Sequence, residues 1–400
     1  MAIIESNNNQ YLAVGIIKLC GLEAVEAVFG VDERNKIVRK LCQRIAEKYA
    51  QCCDIVTFNA DLYLLLCREN VQTFTRKIAT VNDFDSSFGY RNLRIHKSAI
   101  CEPLQGENAW SYAEKLKLAI SSIRNHMFSE FIFCDDAKLN EIEENIWIAR
   151  NIRHAMEIGE LFLVYQPIVD INTRTILGAE ALCRWVSAER GIISPLKFIT
   201  IAEDIGFINE LGYQIIKTAM GEFRHFSERA VLKDGFLLHI NVSPWQLNEP
   251  HFHERFTTIM KENGLKANSL CVEITETVIE RINEHFYLNI EQLRKQGVRV
   301  SIDDFGTGLS NLKRFYEMNP DSIKVDSQFT GDIFGTAGKI VRIIFDLARY
   351  NRIPVIAEGV ESEDVARELI KLGCVQAQGY LYQKPMPFSA WDKSGKLVKE

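Results

Sequence analysis

Nine polar residues recur at seven places along the carboxyl-terminal part of the sequence, each place beside a short apolar run. They are Glu180, Asn241, Glu273, the pair Asp303-Asp304, Lys324 with Asp326, Glu358 and Gln378. Carboxylates repel one another and are costly to bury unpaired, so a fold that gathers them at one edge needs cations to hold them. An all-oxygen donor set favours hard divalent ions such as Mg²⁺ or Mn²⁺ over zinc. The carboxylates are too many for one ion. Two ions roughly 4 Å apart would use them, and such a pair suits phosphodiester cleavage. Adjacent strand residues point to opposite faces, but at a strand's end the second can swing inward, so one of Asp303 and Asp304 can bridge the ions. Lys324 lies two residues before Asp326 and shares its face. It reads either as a neutralising charge or as a base that gives up its proton to activate water. Gly306 and Gly308 follow the acidic pair and suit a loop that closes over a ligand.

Taken singly, these residues have structural readings too. Glu180 could pair with Arg184, and Asn241 could bond its own backbone. The string DDFGTG (303–308) contains a kinase-like triplet, but no Gly-rich loop or HRD segment accompanies it. The joint pattern is what points to metal chemistry.

The elements that must position these groups alternate along the chain. Strand-like runs fall at 161–166, 176–185, 236–242, 270–275, 298–304, 322–326, 354–359 and 375–380, with amphipathic stretches such as 283–297 and 338–351 between most of them. About eight strands alternating with helices suggest a TIM-type barrel, and the polar residues sit late in their strands, the face where barrel enzymes place their chemistry. Residues 11–134 read as a smaller α/β unit. It has a strand at 11–19, helical spacing broken near Gly30, a hairpin at 54–67 with its turn at Asn59-Ala60-Asp61, a strand near 91–100 and a helix near 109–125. Residues 137–158 have the spacing of a connecting helix. The expected organisation is therefore a domain over 1–136, that helix, and a barrel over 159–400.

Composition narrows the function further. The chain has 400 residues and a net charge of −6, which argues against coating a nucleic-acid polymer. A polyanionic small ligand would need metals or local positive charge to bind. The amino terminus is polar without a basic region, and no apolar run is long enough to cross a bilayer, so a soluble cytoplasmic protein without a membrane segment is expected. Ten cysteines are scattered without a CxxC pair and read as reduced, mostly buried thiols, the adjacent Cys52 and Cys53 included.

From about 150 to 390 the sequence resembles the EAL-domain family of cyclic di-GMP phosphodiesterases. The matching strings are YQPIV (165–169), EALCRW (180–185), NVS (241–243), EITE (273–276), DDFGTGLSNL (303–312), KVD (324–326), AEGVE (357–361) and QGYLYQKPMP (378–387). The resemblance implies a modified TIM (β/α)8-type barrel that opens cyclic di-GMP to linear pGpG with two divalent metal ions, Mg or Mn. It implies that Glu180, Asn241, Glu273 and Asp303 hold the first ion, and that Asp304 and Asp326, with Asp303 bridging, hold the second. Glu358 would ligate or orient metal-bound water, with Gln378 in support, and Lys324 would assist the attacking water. Glu276 would steady the loop 305–312, while Gln166, Leu182 and Arg184 would contact substrate. Leu309 and Asn311 depart from the family's usual tyrosine and serine on that loop. Residues 11–134 resemble, more loosely, a degenerate GGDEF (diguanylate cyclase) domain. Lys18 falls where that family has a metal-binding aspartate, and a lysine cannot ligate Mg²⁺. No cyclase activity is expected there. A regulatory role, with GTP or another nucleotide as ligand or with homodimerisation, and a purely structural role both stay open. The rival to hydrolysis is a cyclic di-GMP receptor or protein-interaction module with vestigial catalysis.

Overall fold

Most of the described strands are short runs rich in Val, Ile and Leu, and the computed structural model pairs them into two sheets. It describes residues 11–19, 22–59, 62–79, 96–101, 112, 115–117, 120, 131–275, 282–307 and 312–392. Contacts divide the chain into two compact units, Met1–Trp147 and Ile148–Glu400, and the division falls inside the helix Asp136–Glu157.

The first unit is built on a five-stranded sheet. Its strands are β1 (Ala13–Leu19), β2 (Cys53–Asn59), β3 (Leu62–Cys67), β4 (His96–Cys101) and β5 (Phe131–Cys134), in the order β2-β3-β1-β4-β5. Only β4 and β5 run parallel; the other neighbours are antiparallel. The run LYLLLC in β3 is apolar at every position because both sheet faces are covered. Tyr63, Leu65 and Cys67 pack with Tyr49 and Phe74 on one side, while Leu64 and Leu66 pack with Tyr112, Leu116 and Leu139 on the other. The helical segment expected near the start breaks at Gly30, into Leu22–Phe29 and Val31–Tyr49. Strand β5 was not expected; four residues are too few to show a period of two. Ala60 and Asp61 of the expected hairpin turn lie outside the described residues.

The second unit is a closed eight-stranded α/β barrel. Its strands are β6 (Leu161–Asp170), β7 (Ile176–Ser187), β9 (Leu237–Asn241), β10 (Leu270–Thr275), β11 (Arg299–Phe305), β12 (Ser322–Val325), β13 (Val355–Ala357) and β14 (Gln376–Ala377), with the short β8 (Gly191–Ile193) as an edge on β7. Each of the eight expected strands is present. The alternation with helices is not complete, because β6 and β7 form a hairpin and β6 runs against both its neighbours. The Asp170 side chain makes that turn. Its Oδ1 accepts from the backbone N–H groups of Asn172 (3.0 Å) and Thr173 (2.8 Å), and Arg174 takes a left-handed conformation. The other barrel strands are parallel. Helices such as Ile208–Ser227 and Ala337–Asn351 cover the outside with stripes that include Ile216, Met220 and Phe223, or Val341, Ile344 and Phe345. No helix among the described residues is long and apolar enough to cross a membrane.

Candidate active site

Strand register brings the polar groups together. Glu180 on β7 sits opposite Gln166 on β6 and level with His239 on β9. Two residues on, Asn241 is level with Glu273 on β10, and Glu273 with Ser301 on β11. Ser301 is in turn level with Ser322 on β12. A step of two keeps a strand's face, so Asp303 and Lys324 share the interior with them. Glu358 and Gln378 follow β13 and β14 at the same end.

Lys324 stands at the centre and is wholly buried. Its Nζ lies 3.0 Å from Glu180 Oε2, 2.9 Å from Glu273 Oε2, 3.2 Å from Asp303 Oδ1 and 2.6 Å from Glu358 Oε1. Around it run the amide bonds. Asn241 Nδ2 donates to Glu180 Oε1 (2.7 Å), and Gln378 Nε2 donates to Glu180 Oε2 (2.8 Å) and Gln166 Oε1 (2.9 Å). Gln166 in turn donates to the Gln383 carbonyl. Thr330 holds the Glu358 backbone through its carbonyl.

These groups shift one another's protonation. Burial alone would raise the Glu180 pKa, but Lys324 and the donors Gln378 and Asn241 outweigh it and bring it down to about 2. Burial raises Glu273 and Glu358 well above the ordinary carboxylate value, with repulsion from other acids adding and Lys324 opposing. Asp303 is raised by burial, with Glu180 adding and Lys324 opposing. Burial disfavours the Lys324 ammonium, yet the acids on all sides raise its pKa well above normal. Of the two readings of Lys324, this arrangement favours the counter-ion.

Asp304 shows how the acidic pair works. Its φ is 54°, in the left-handed region, and the β11–β12 register shifts between Ile302 and Phe305. The bulge turns its carboxylate to the side of Asp303, with which its own N–H also bonds (3.0 Å). Burial, then Asp303 and Asp326, raise its pKa to about 7. Asp326 meets Asp304 while capping the helix Ser327–Gly331 through the Gln328 N–H.

Two sets of carboxylate oxygens lie close enough to share an ion, Glu180-Glu273-Asp303 and Asp303-Asp304-Glu358, each within 4.8 Å. Asp303 belongs to both. One lysine cannot balance this many acids, and the donors are oxygens, so the residues fit a pair of hard divalent ions. Leu182 and Arg184 continue the Glu180 face of β7 and are half-buried. Arg184 donates to the Cys183 carbonyl, so the simple Glu180–Arg184 pairing is not what the structure contains. Glu276, Gly308, Leu309 and Asn311 lie outside the described residues. Gly306 does not, and its φ of 99° is one that a side chain would strain.

Sequence reasoning missed His239. Its Nδ1 lies 2.8 Å from Glu273 Oε1, and both side chains are buried. The bond orients the Glu273 carboxylate, whose other oxygen accepts from Lys324. The available signal was its place two residues before Asn241, on the same strand face.

A family profile described as EAL domain matches residues 149–385, more than half of the chain. The chain is 98% identical over 400 residues to the probable cyclic di-GMP phosphodiesterase PdeI of Escherichia coli K12, covering 100% of this chain and 51% of that protein. It is 33% identical over 252 residues to the cyclic di-GMP phosphodiesterase PdeR of the same organism, covering 62% and 38%. The chain thus spans about half or less of these relatives. Among solved structures, the EAL enzyme Bd1971 in its cAMP-bound form matches with a TM-score of 0.59 at 32% identity, over 63% of this chain and 71% of that one. The PaMucR phosphodiesterase in complex with c-di-GMP matches with a TM-score of 0.57 at 30% identity, over 60% and 98%.

Proposed function

Because the chain belongs to the EAL domain family, we propose that it is a metal-dependent phosphodiesterase that opens cyclic di-GMP to linear pGpG. The observation that carries this reading is the convergence of Glu180, Glu273, Asp303 and Glu358 on the buried Lys324 at one end of a closed barrel. The names of PdeI and PdeR and the c-di-GMP complex of PaMucR support the choice of substrate.

Glu180, Asn241, Glu273 and Asp303 would hold one ion, and Asp304 and Asp326 the other, with Asp303 shared. Two divalent ions, Mg²⁺ or Mn²⁺, would supply Lewis acidity toward the phosphodiester and its attacking water. Glu358 and Gln378 would orient that water. Lys324 would hold its proton while the acids surround it and release it more readily once they turn to other partners. Gln166 and the apolar Leu182 would flank the substrate, Arg184 would donate to a phosphate, and Glu276 would steady the loop that follows β11. His239 would keep Glu273 aimed.

The first unit we read as a degenerate GGDEF-like domain that regulates the barrel without making product. Support comes from Lys18 on β1, where a metal-binding carboxylate would be needed for cyclase chemistry.

The test is chromatography of products after incubation with cyclic di-GMP and Mg²⁺ or Mn²⁺. Linear pGpG is expected from the native chain and none from Glu180→Ala or in chelator. Binding without turnover would replace the hydrolase with a receptor. A parallel sample with GTP reads regulation: a changed rate without new cyclic di-GMP supports the regulatory reading.

A further inference from the structure

Three thiols of the first unit converge on one another. Cys53 on β2 faces Cys67 on β3. The Arg68 N–H donates to the Cys52 carbonyl (2.9 Å), so 52/68 is a hydrogen-bonded pair of the ladder. The next pair in, 53/67, is then of the other kind, where facing side chains approach most closely. Cys52 closes the turn after the helix Val31–Tyr49, and its Sγ lies 3.6 Å from Cys53 Sγ. Sequence neighbours in extended chain normally point to opposite faces. Here the turn points both sulfurs to one place.

The three Sγ atoms lie within 4.8 Å of one another. Three sulfurs each about 2.3 Å from a central cation stand about 4.0 Å apart in a trigonal set. Relative exposures are 8% for Cys52, 2% for Cys53 and 0% for Cys67, among Tyr49, Tyr63, Leu65 and Phe74. Cys52, the most accessible, marks the way in. No disulfide joins the described cysteines.

We propose that Cys52, Cys53 and Cys67 form a binding site for a thiophilic d¹⁰ cation, of the Cu(I) or Zn(II) kind. An all-sulfur set selects soft cations and rejects the Mg²⁺ or Mn²⁺ suited to the barrel. Each thiol that ligates as thiolate releases one proton to solvent. Plain packing of three small apolar side chains is the competing reading, and it predicts no cation. The bound cation would tie the β2–β3 hairpin to the end of the preceding helix.

The reduced full chain, in saturating Mg²⁺, is titrated with Zn(II) in one arm and Cu(I) in the other, each against a chromophoric chelator. Expected in at least one arm is one tightly held equivalent with a thiolate-to-metal absorption band. Cys53→Ser and Cys67→Ser should each weaken it by about 100-fold, and Cys101→Ser should leave it intact. Alkylation footprinting of the native chain covers the case in which a variant misfolds. The cation should slow modification of Cys52, Cys53 and Cys67 by about tenfold or more, and leave the half-buried Cys183 unchanged. Loss of the cation to the chelator in both arms, or a footprint elsewhere, overturns the site.

Discussion

Lys324 and Asp304 set the behaviour of the site at the scale of single residues. Removing Lys324 leaves the surrounding carboxylates without their central charge. Lys324→Met should therefore lower stability in chelator by about 3–5 kcal/mol. Mn²⁺ should restore most of that loss, because divalent ions supply the missing charge. Denaturant melts in both buffers check it, and equal losses would show that the ions do not replace the ammonium. Asp304 gives a pH signature. Its folded pKa of about 7 exceeds its ordinary 3.8, so its proton stabilises the fold. That contribution is complete below about pH 4 and lost as pH rises through about 7. An ion must displace the same proton, so Mn²⁺ affinity should climb as pH rises toward about 7. Asp304→Asn should flatten the climb in a series of Mn²⁺ titrations; an unchanged slope would assign it to another group.

At the scale of elements, barrel closure depends on close approach between strands. A Cβ at Gly178 on β7 would lie 2.5 Å from the carbonyl oxygen of Leu237, the first residue of β9. Gly178→Ala should thus cost about 1–3 kcal/mol by forcing β7 and β9 apart, and thermal melts read it. Undiminished stability would mean the seam can yield. Much of this architecture was legible beforehand. Runs such as LCVEIT and VRVSIDD are apolar because parallel barrel strands are buried on both faces, and each acid interrupts its run on the interior side. The β6–β7 hairpin was not legible as such, since nothing in its run shows which way it points; only the Asp170 turn does. His239 stayed hidden because one histidine in FLLHINV looks like any core residue until the register sets it beside Glu273. The thiol cluster stayed hidden because Cys67 meets Cys53 only through pairing of β2 with β3.

For the whole molecule, the two units predict a divided response to ligand. A divalent ion that binds only the folded barrel stabilises it by about 2.7 kcal/mol at a hundred times its Kd. Hydrogen exchange with Mg²⁺ and cyclic di-GMP should show added protection at the ends of β7, β9, β10, β11 and β12. Protection confined to β1–β5 would move the binding site to the other unit.

The reversed strand β6 settles where the chain enters its own barrel. Leu161 pairs with Trp185, near the end of β7, so the polypeptide comes in beside the acidic mouth and not through the floor. A tug or twist on the segment leading to residue 161 would be felt first at that doorway, five residues along β6 from Gln166 and its neighbour Glu180.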